Sequence, residues 1–358
     1  MNPFGSILDR FLGRGDHAIT IPPMDGALRP NDGLEDAALV QKRPGADNLA
    51  ILGGRIVVGS GSAIFAVGEG SQEPLKTFAA DVTCLAGLPD GSCVAGLADG
   101  TLVIVGGARD GQVTKLPAGI RCLTALCAVD AQIVVVANGS ENHLVERWSR
   151  DLLEKGRSGS VWRVDLADGT ASKIADQLAF PYGVLVSAGA VVIAEAWASR
   201  LVRYPHAGGR GEILLENLPG YPARLADDPD GGAWLSVFAP RSQLVEFVLR
   251  EDEYRRRMVN EVPGDYWIAP TLRSGGSFLE PLQQGGVKQL GVLKPWSPSR
   301  SYGLLVRLDT SFRPRASFHS RADGTRHGVT SSLLHDGNVY FTAKGDGVIG
   351  SIPREHAE

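Results

Sequence analysis

A recurring turn signal constrains this chain more than any other feature. Asp-Gly falls at Asp90-Gly91, Asp99-Gly100, Asp168-Gly169, Asp230-Gly231, Asp323-Gly324 and Asp336-Gly337. Between apolar runs this dipeptide marks a hairpin, because the tight turn needs positive φ and glycine supplies it at no steric cost. The intervening runs are short and β-branched, as in Ile56–Val58, Thr101–Val105, Ile133–Val136, Val191–Ala194 and Asn338–Thr342. A unit of apolar pair, glycine turn, apolar run and small residue repeats at Leu49–Ser60, Leu85–Gly96, Val184–Glu195, Leu225–Ser236 and Ser332–Ala343. A spacing near ~40 residues with about four strands per unit points to a β-propeller. Residues 46–78, 80–116, 120–175, 177–217, 219–320 and 321–353 give six candidate blades. A seven-bladed ring or a β-sandwich with a helical insertion remains the alternative.

The expected architecture is therefore all-β, a six-bladed β-propeller with helical or loop insertions in blades 3 and 5. Residues 1–43 form an N-terminal extension that wraps the outside and can supply a strand. Residues 44–358 form the ring, with an insertion over about 241–302. In blade 3, residues 142–158 read as helical. In the larger insertion, residues 242–262 read as one helix capped by Ser242, with Phe247, Tyr254 and Met258 as a stripe packing on the propeller. The stretch from Tyr266-Trp267 to Trp296 has no period and reads as a lid.

Composition narrows the function classes. Glycine makes up 45 of 358 residues, almost twice the usual ~7%, as a turn-rich chain requires. The formal charge is 36 − 40 = −4, which gives no reason to expect a nucleic-acid partner. Charged residues at 21% and hydrophobic ones at 43% suit a globular chain. No stretch supplies the ~20 apolar residues of a membrane span. The nearest, residues 183–198, carries Glu195. Met1–Arg14 reads as a short amphipathic helix without signal-peptide features. The expectation is a soluble cytoplasmic protein with no membrane partner. Its four cysteines are expected to be reduced, Cys84 and Cys93 being the one pair that could face each other across a hairpin.

Five segments carry a family resemblance, in order along the chain. They are PPMDGALRPNDGLEDA (22–37), ERWSRDLLEKGRSGSVWRVDLADG (146–169), FPYGVLVSAGAVVIAEAWASRLVRY (180–204), LENLPGYPARLADDPDGGAWLS (215–236) and VTSSLLHDGNVYFTAKGDGVIGSIP (329–353). Together the chain resembles the strictosidine synthase-like proteins, within a wider superfamily of gluconolactonases and paraoxonases. That resemblance also implies a six-bladed propeller. It further implies an axial Ca²⁺ held by one Glu and several Asn or Asp side chains, which would polarise a carbonyl or activate water.

The chain departs from this pattern where the chemistry would sit. The first-blade Glu falls at Asp47. The third-blade Asn has no counterpart within residues 121–129. The Asn of the fourth-blade motif is Tyr182, and an Asp-Asn pair has become Ala223-Arg224. A guanidinium in a ligand position opposes a dication at close range, so no cofactor is expected and the calcium site reads as lost. The last-blade Glu of amine–aldehyde condensing relatives falls at Thr330 or Ser331, without a carboxylate.

The residues that the resemblance turns toward the axis are Asp47, Tyr182, Arg224 and His327. As catalytic candidates, Asp47 or His327 would act as general base and Tyr182 as hydrogen-bond donor. As binding candidates, Arg224 would anchor an anion, with Asn138, Tyr221 and Trp267 around it. The alternative for Asp47 and Arg224 is a mutual pair that fills a structural channel. Glu195 reads as a structural partner of an arginine, and Asn138, Ser140 and His143 as residues at a pocket rim. No serine sits in a nucleophile elbow. The expected function is a metal-independent lactone or ester hydrolase acting on a small anionic molecule. The alternatives are a non-catalytic small-molecule-binding ring or an amine–aldehyde condensing enzyme.

Overall fold

Six four-stranded antiparallel sheets follow one another around an axis, each starting with its innermost strand. The computed structural model describes residues 21–68, 72–277, 279–281, 288–289, 292–293 and 300–357. The helix read at Met1–Arg14 and the Trp296 end of the insertion lie outside them. The innermost strands are Leu49–Leu52, Val82–Gly87, Leu123–Ala128, Pro181–Ser187, Gly220–Asp227 and Val329–His335, in blades 1 to 6. Each packs beside the next, and the sixth returns to the first.

The ring is closed by both ends of the chain. Ala38–Lys42 lies antiparallel to Val348–Pro353 and completes blade 6 as its outermost strand. The residues before it are clamped to blade 5 and the loop after it. The Asn31 amide donates to the Ser317 carbonyl at 2.8 Å, and Glu35 accepts from the Ser320 hydroxyl and the Thr325 amide.

Alternation along each strand puts apolar residues on both blade faces, and neighbouring blades bury them against each other. Cys84, Leu102, Leu123 and Val134 fill the seam between blades 2 and 3, and Leu185, Val192, Leu235 and Val306 that between blades 4 and 5. All four cysteines are free. Cys84 stands opposite Gly96 and Cys93 opposite Gly87, so the two thiols do not share a register position.

The blade-3 insertion contains helix α1 (Trp148–Leu153). The blade-5 insertion contains two helices, α2 (Gln243–Arg250) and α3 (Asp252–Glu261), rather than one. The Ser242 hydroxyl caps α2 by accepting from the Val245 amide. The break at Glu251 (φ −88°, ψ 80°) shifts the helical phase, which corrects the expected stripe. Phe247 and Tyr254 are exposed, at 47% and 51%, while Met258 packs with Val248, Leu153 and Trp267. Among the described residues no helix is long and apolar enough to cross a membrane.

Candidate functional site

Five innermost strands carry the same defect near their first residues. In blade 2, Val82 pairs with Leu97 and Cys84 with Gly96, so Thr83 is passed over. Thr124, Tyr182 and Thr330 are passed over in the same way in blades 3, 4 and 6. In blade 5 the shift falls between Pro222 and Leu225 and contains Arg224. A bulge leaves its residue out of the ladder and re-aims it. The carbonyls so freed still need hydrogen-bond donors.

Arg224 supplies those donors. Its Nε donates to the Thr124 carbonyl at 2.9 Å, Nη2 to Thr83 at 2.8 Å and Nη1 to Thr330 at 3.3 Å. Nη1 also donates to Asp47 Oδ1 at 2.7 Å. One guanidinium thus ties together blades 2, 3, 5 and 6 and the residue leading into blade 1. The Tyr182 ring lies 5.2 Å from its central carbon. Gly183 permits this approach, since a Cβ there would stand 2.3 Å from the Ala223 carbonyl oxygen.

The second Asp47 oxygen accepts from Lys344 Nζ at 2.7 Å. The Asp47 and Arg224 side chains are buried, whereas that of Lys344 keeps 29% of its exposure. Burial alone would push the Asp47 carboxyl up, but Arg224 and Lys344 outweigh it and hold it far below the usual carboxylate range. Burial would likewise lower both cations, yet Asp47 raises them. All three groups are therefore charged at neutral pH.

On the far side of Arg224 the axis widens into a cavity of about 550 Å³. Its walls come from the innermost strands and the residues beside them: 48–51, 85–89, 125–128, 184–185, 224–227, 229 and 331–334. Arg224, Asn48 and Ser331 form its closed end, and Pro89, Asp227 and Pro229 lie toward its mouth.

The structure brings Asp47, Tyr182 and Arg224 together and leaves the other four candidates elsewhere. His327 is fully buried; its Nδ1 meets the Ser301 hydroxyl at 2.7 Å and its Nε2 the Arg321 carbonyl at 2.7 Å. Both ring nitrogens are occupied, and burial pushes its pKa down. Asn138 is also buried, its amide spent on the Cys122 amide and the Gly119 carbonyl. Tyr221 packs among Trp197, Phe238 and their neighbours, its hydroxyl without a partner among the described residues. Trp267 belongs to the small core of the insertion and donates to the Val262 carbonyl. In each case a loop or strand position near the axis did not fix the direction of the side chain.

Glu195 accepts from Arg200 at 2.7 Å, directly across the ladder, and from the Ala179 amide. Ser140 donates to buried Asp151, and His143 meets Glu154 at 2.7 Å. Sequence reasoning missed Lys344 and the three threonine carbonyls. A signal for the latter exists in Val82-Thr83-Cys84, Leu123-Thr124-Ala125 and Val329-Thr330-Ser331, where an apolar residue, threonine and a small residue open three blades. Nothing local marks Lys344.

No family model matches the chain. Among curated proteins it is similar to strictosidine synthase-like 6 of Arabidopsis thaliana, 28% identical over 130 residues, 36% of this chain and 33% of that protein. It is also similar to human adipocyte plasma membrane-associated protein, 27% identical over 117 residues, 30% of this chain and 28% of that protein. The matched stretch thus spans about a third of these relatives' length. Among solved structures, a putative gluconolactonase overlays with a TM-score of 0.53 at 13% identity, covering 88% of this chain and 91% of the other. A gluconolactonase of Xanthomonas campestris gives 0.53 at 11% identity, with 88% of each chain covered. The calcium-binding protein regucalcin of Agrobacterium tumefaciens gives 0.50 at 10%, covering 88% and 92%. At such identities these likenesses show the fold.

Proposed function

From a place in the superfamily of strictosidine synthase-like and gluconolactonase-type six-bladed propellers, we propose that this protein is a metal-independent ring that binds a small anionic molecule at the Lys344 end of its axis. One observation carries the reading. Two cations, Arg224 and Lys344, share one carboxylate, Asp47, which leaves 2 − 1 = +1 charge in a largely buried group. Buried charge calls for compensation, and the partly exposed Lys344 with Tyr182 beside it is where an anion can supply it. The same donor set disfavours calcium, because the single carboxylate is already taken twice and a guanidinium stands at its side.

Arg224 is the scaffold of this site rather than its anion anchor, since its donors are turned to Asp47 and to backbone carbonyls. Asp47 serves poorly as a general base, because its proton affinity is suppressed. Lactone or ester hydrolysis is the second reading. It is favoured by Lys344 and Tyr182, which together can donate to an oxygen that gains negative charge, and by the gluconolactonase names of the fold neighbours. Amine–aldehyde condensation lacks support, because Thr330 and Ser331 place no carboxylate at the axis.

The test is calorimetry with a panel of hydroxy acids and their lactones, with and without Ca²⁺, run in parallel with hydrolysis assays. Lys344→Ala is expected to weaken binding about tenfold or more, as loss of one charge-assisted hydrogen bond implies. Calcium is expected to change nothing. Binding that requires Ca²⁺, or that ignores Lys344→Ala, overturns the proposal. Turnover that falls with Lys344→Ala establishes the second reading.

A further inference from the structure

The axis has two ends of opposite character, and only one has been used so far. We propose that the cavity beyond Arg224 is a second ligand site, for a neutral and largely apolar molecule that enters from the face opposite Lys344. All six blades line it, with partly exposed apolar residues such as Ile51, Leu225 and Leu333. At about 550 Å³ it is of the ~300–1,000 Å³ size that encloses a small organic molecule.

At the closed end the hydrogen-bonding groups are already spent. Arg224 directs its donors to Asp47 and the three carbonyls. Asn48 accepts from the Leu85 amide and donates to the Leu49 carbonyl, and the Ser331 hydroxyl accepts from the Leu49 amide. Apart from Arg224, Asp227 is the one ionisable carboxylate or ammonium group of the lining, and it is exposed. Its negative charge stands on the side by which a ligand would enter and discourages anions there. Largely apolar walls, an end whose donors are spent and an acidic mouth favour a neutral molecule.

Cys127 lies at the edge of this site, its sulfur accepting from the Val186 amide at 3.4 Å. It belongs to the cavity wall and is partly exposed, whereas Cys84, Cys93 and Cys122 are buried. The probe is N-phenyl-1-naphthylamine, neutral and fluorescent in apolar surroundings. It is expected to bind saturably, one per chain, and to slow alkylation of Cys127 by N-ethylmaleimide several-fold. Ala128→Trp, which adds bulk at a lining residue that packs on the seam of blades 2 and 3, is expected to abolish probe binding with an unchanged circular dichroism spectrum. Lys344→Ala is expected to leave probe binding as it is.

Absence of saturable probe binding by the wild type overturns the proposal, and this arm stands whether or not Ala128→Trp folds. So does undiminished probe binding by a folded Ala128→Trp. Competition between the probe and a bound carboxylate would merge the two sites, which overturns the second site while leaving anion binding at Lys344 intact.

Discussion

Arg224 meets four acceptors that belong to different parts of the ring, so its removal acts on more than one contact. Arg224→Met is expected to cost about 3–5 kcal/mol, because it leaves three buried carbonyls without donors and breaks one of the two ion pairs of Asp47. Adding Asp47→Asn to that variant is expected to recover little, because Lys344 already compensates the carboxylate and the three carbonyls stay without donors. Urea denaturation of both variants at constant m-value measures this. A single-variant loss below about 1 kcal/mol would show that the pair holds nothing together.

The pH dependence at this scale has two parts. Asp47 has a depressed pKa in the folded ring, so its contribution is complete above the ordinary carboxylate range and is lost only as pH falls below it. His319 behaves differently. Burial, with Tyr302 and Ser317 on its two nitrogens, lowers it from 6.5 to about 4. Between those values the unfolded chain takes up a proton that the folded ring refuses. Stability is therefore expected to decline as pH drops from 6.5 toward 4, and His319→Gln to flatten that slope, as read by thermal melts across the range. Asp47, Tyr182 and Arg224 were legible as a group because family motifs fix their strand positions. His327 was not, since adjacency to a blade strand says nothing about where a loop side chain points. Lys344 was not, because its role depends on Asp47, 297 residues away.

At the scale of elements, glycine turns and β-branched runs made the blades readable, because both are local properties. The bulges are not local: they exist only between paired strands, and no run of residues declares which one the partner will skip. The helical insertion failed for a related reason, since the break at Glu251 displaced an otherwise regular stripe. Gly183 joins these levels. Its missing side chain lets the fourth innermost strand lie against Ala223, which carries Tyr182 under the guanidinium. Gly183→Ala is expected to destabilise by roughly 1–3 kcal/mol, as overpacking of a close contact does. It is also expected to shift the near-ultraviolet spectrum of the aromatic cluster around Tyr182. An unchanged melt would mean that the two strands part without cost.

For the whole molecule, closure decides stability, because the blade that joins the first part of the ring to the last is complete only with a strand from each. Blade 6 draws its outermost strand, Ala38–Lys42, from the start of the chain and its other three from residues 329–353. The extension is thus a working part of the ring, and its clamps through Asn31 and Glu35 hold that strand in register. A chain beginning at residue 44 would leave Val348–Pro353 as an exposed edge. Several ladder hydrogen bonds at ~1 kcal/mol each put the loss on the order of 3–5 kcal/mol. Because neighbouring blades share their cores, that loss is expected to lower the melting point of the ring as a unit rather than to melt blade 6 alone. A synthetic peptide of residues 29–43, added in excess, is expected to restore the melting point in proportion to its concentration. A truncated chain that melts where the intact one does, or that ignores the peptide, would show that the ring closes without its N-terminal strand.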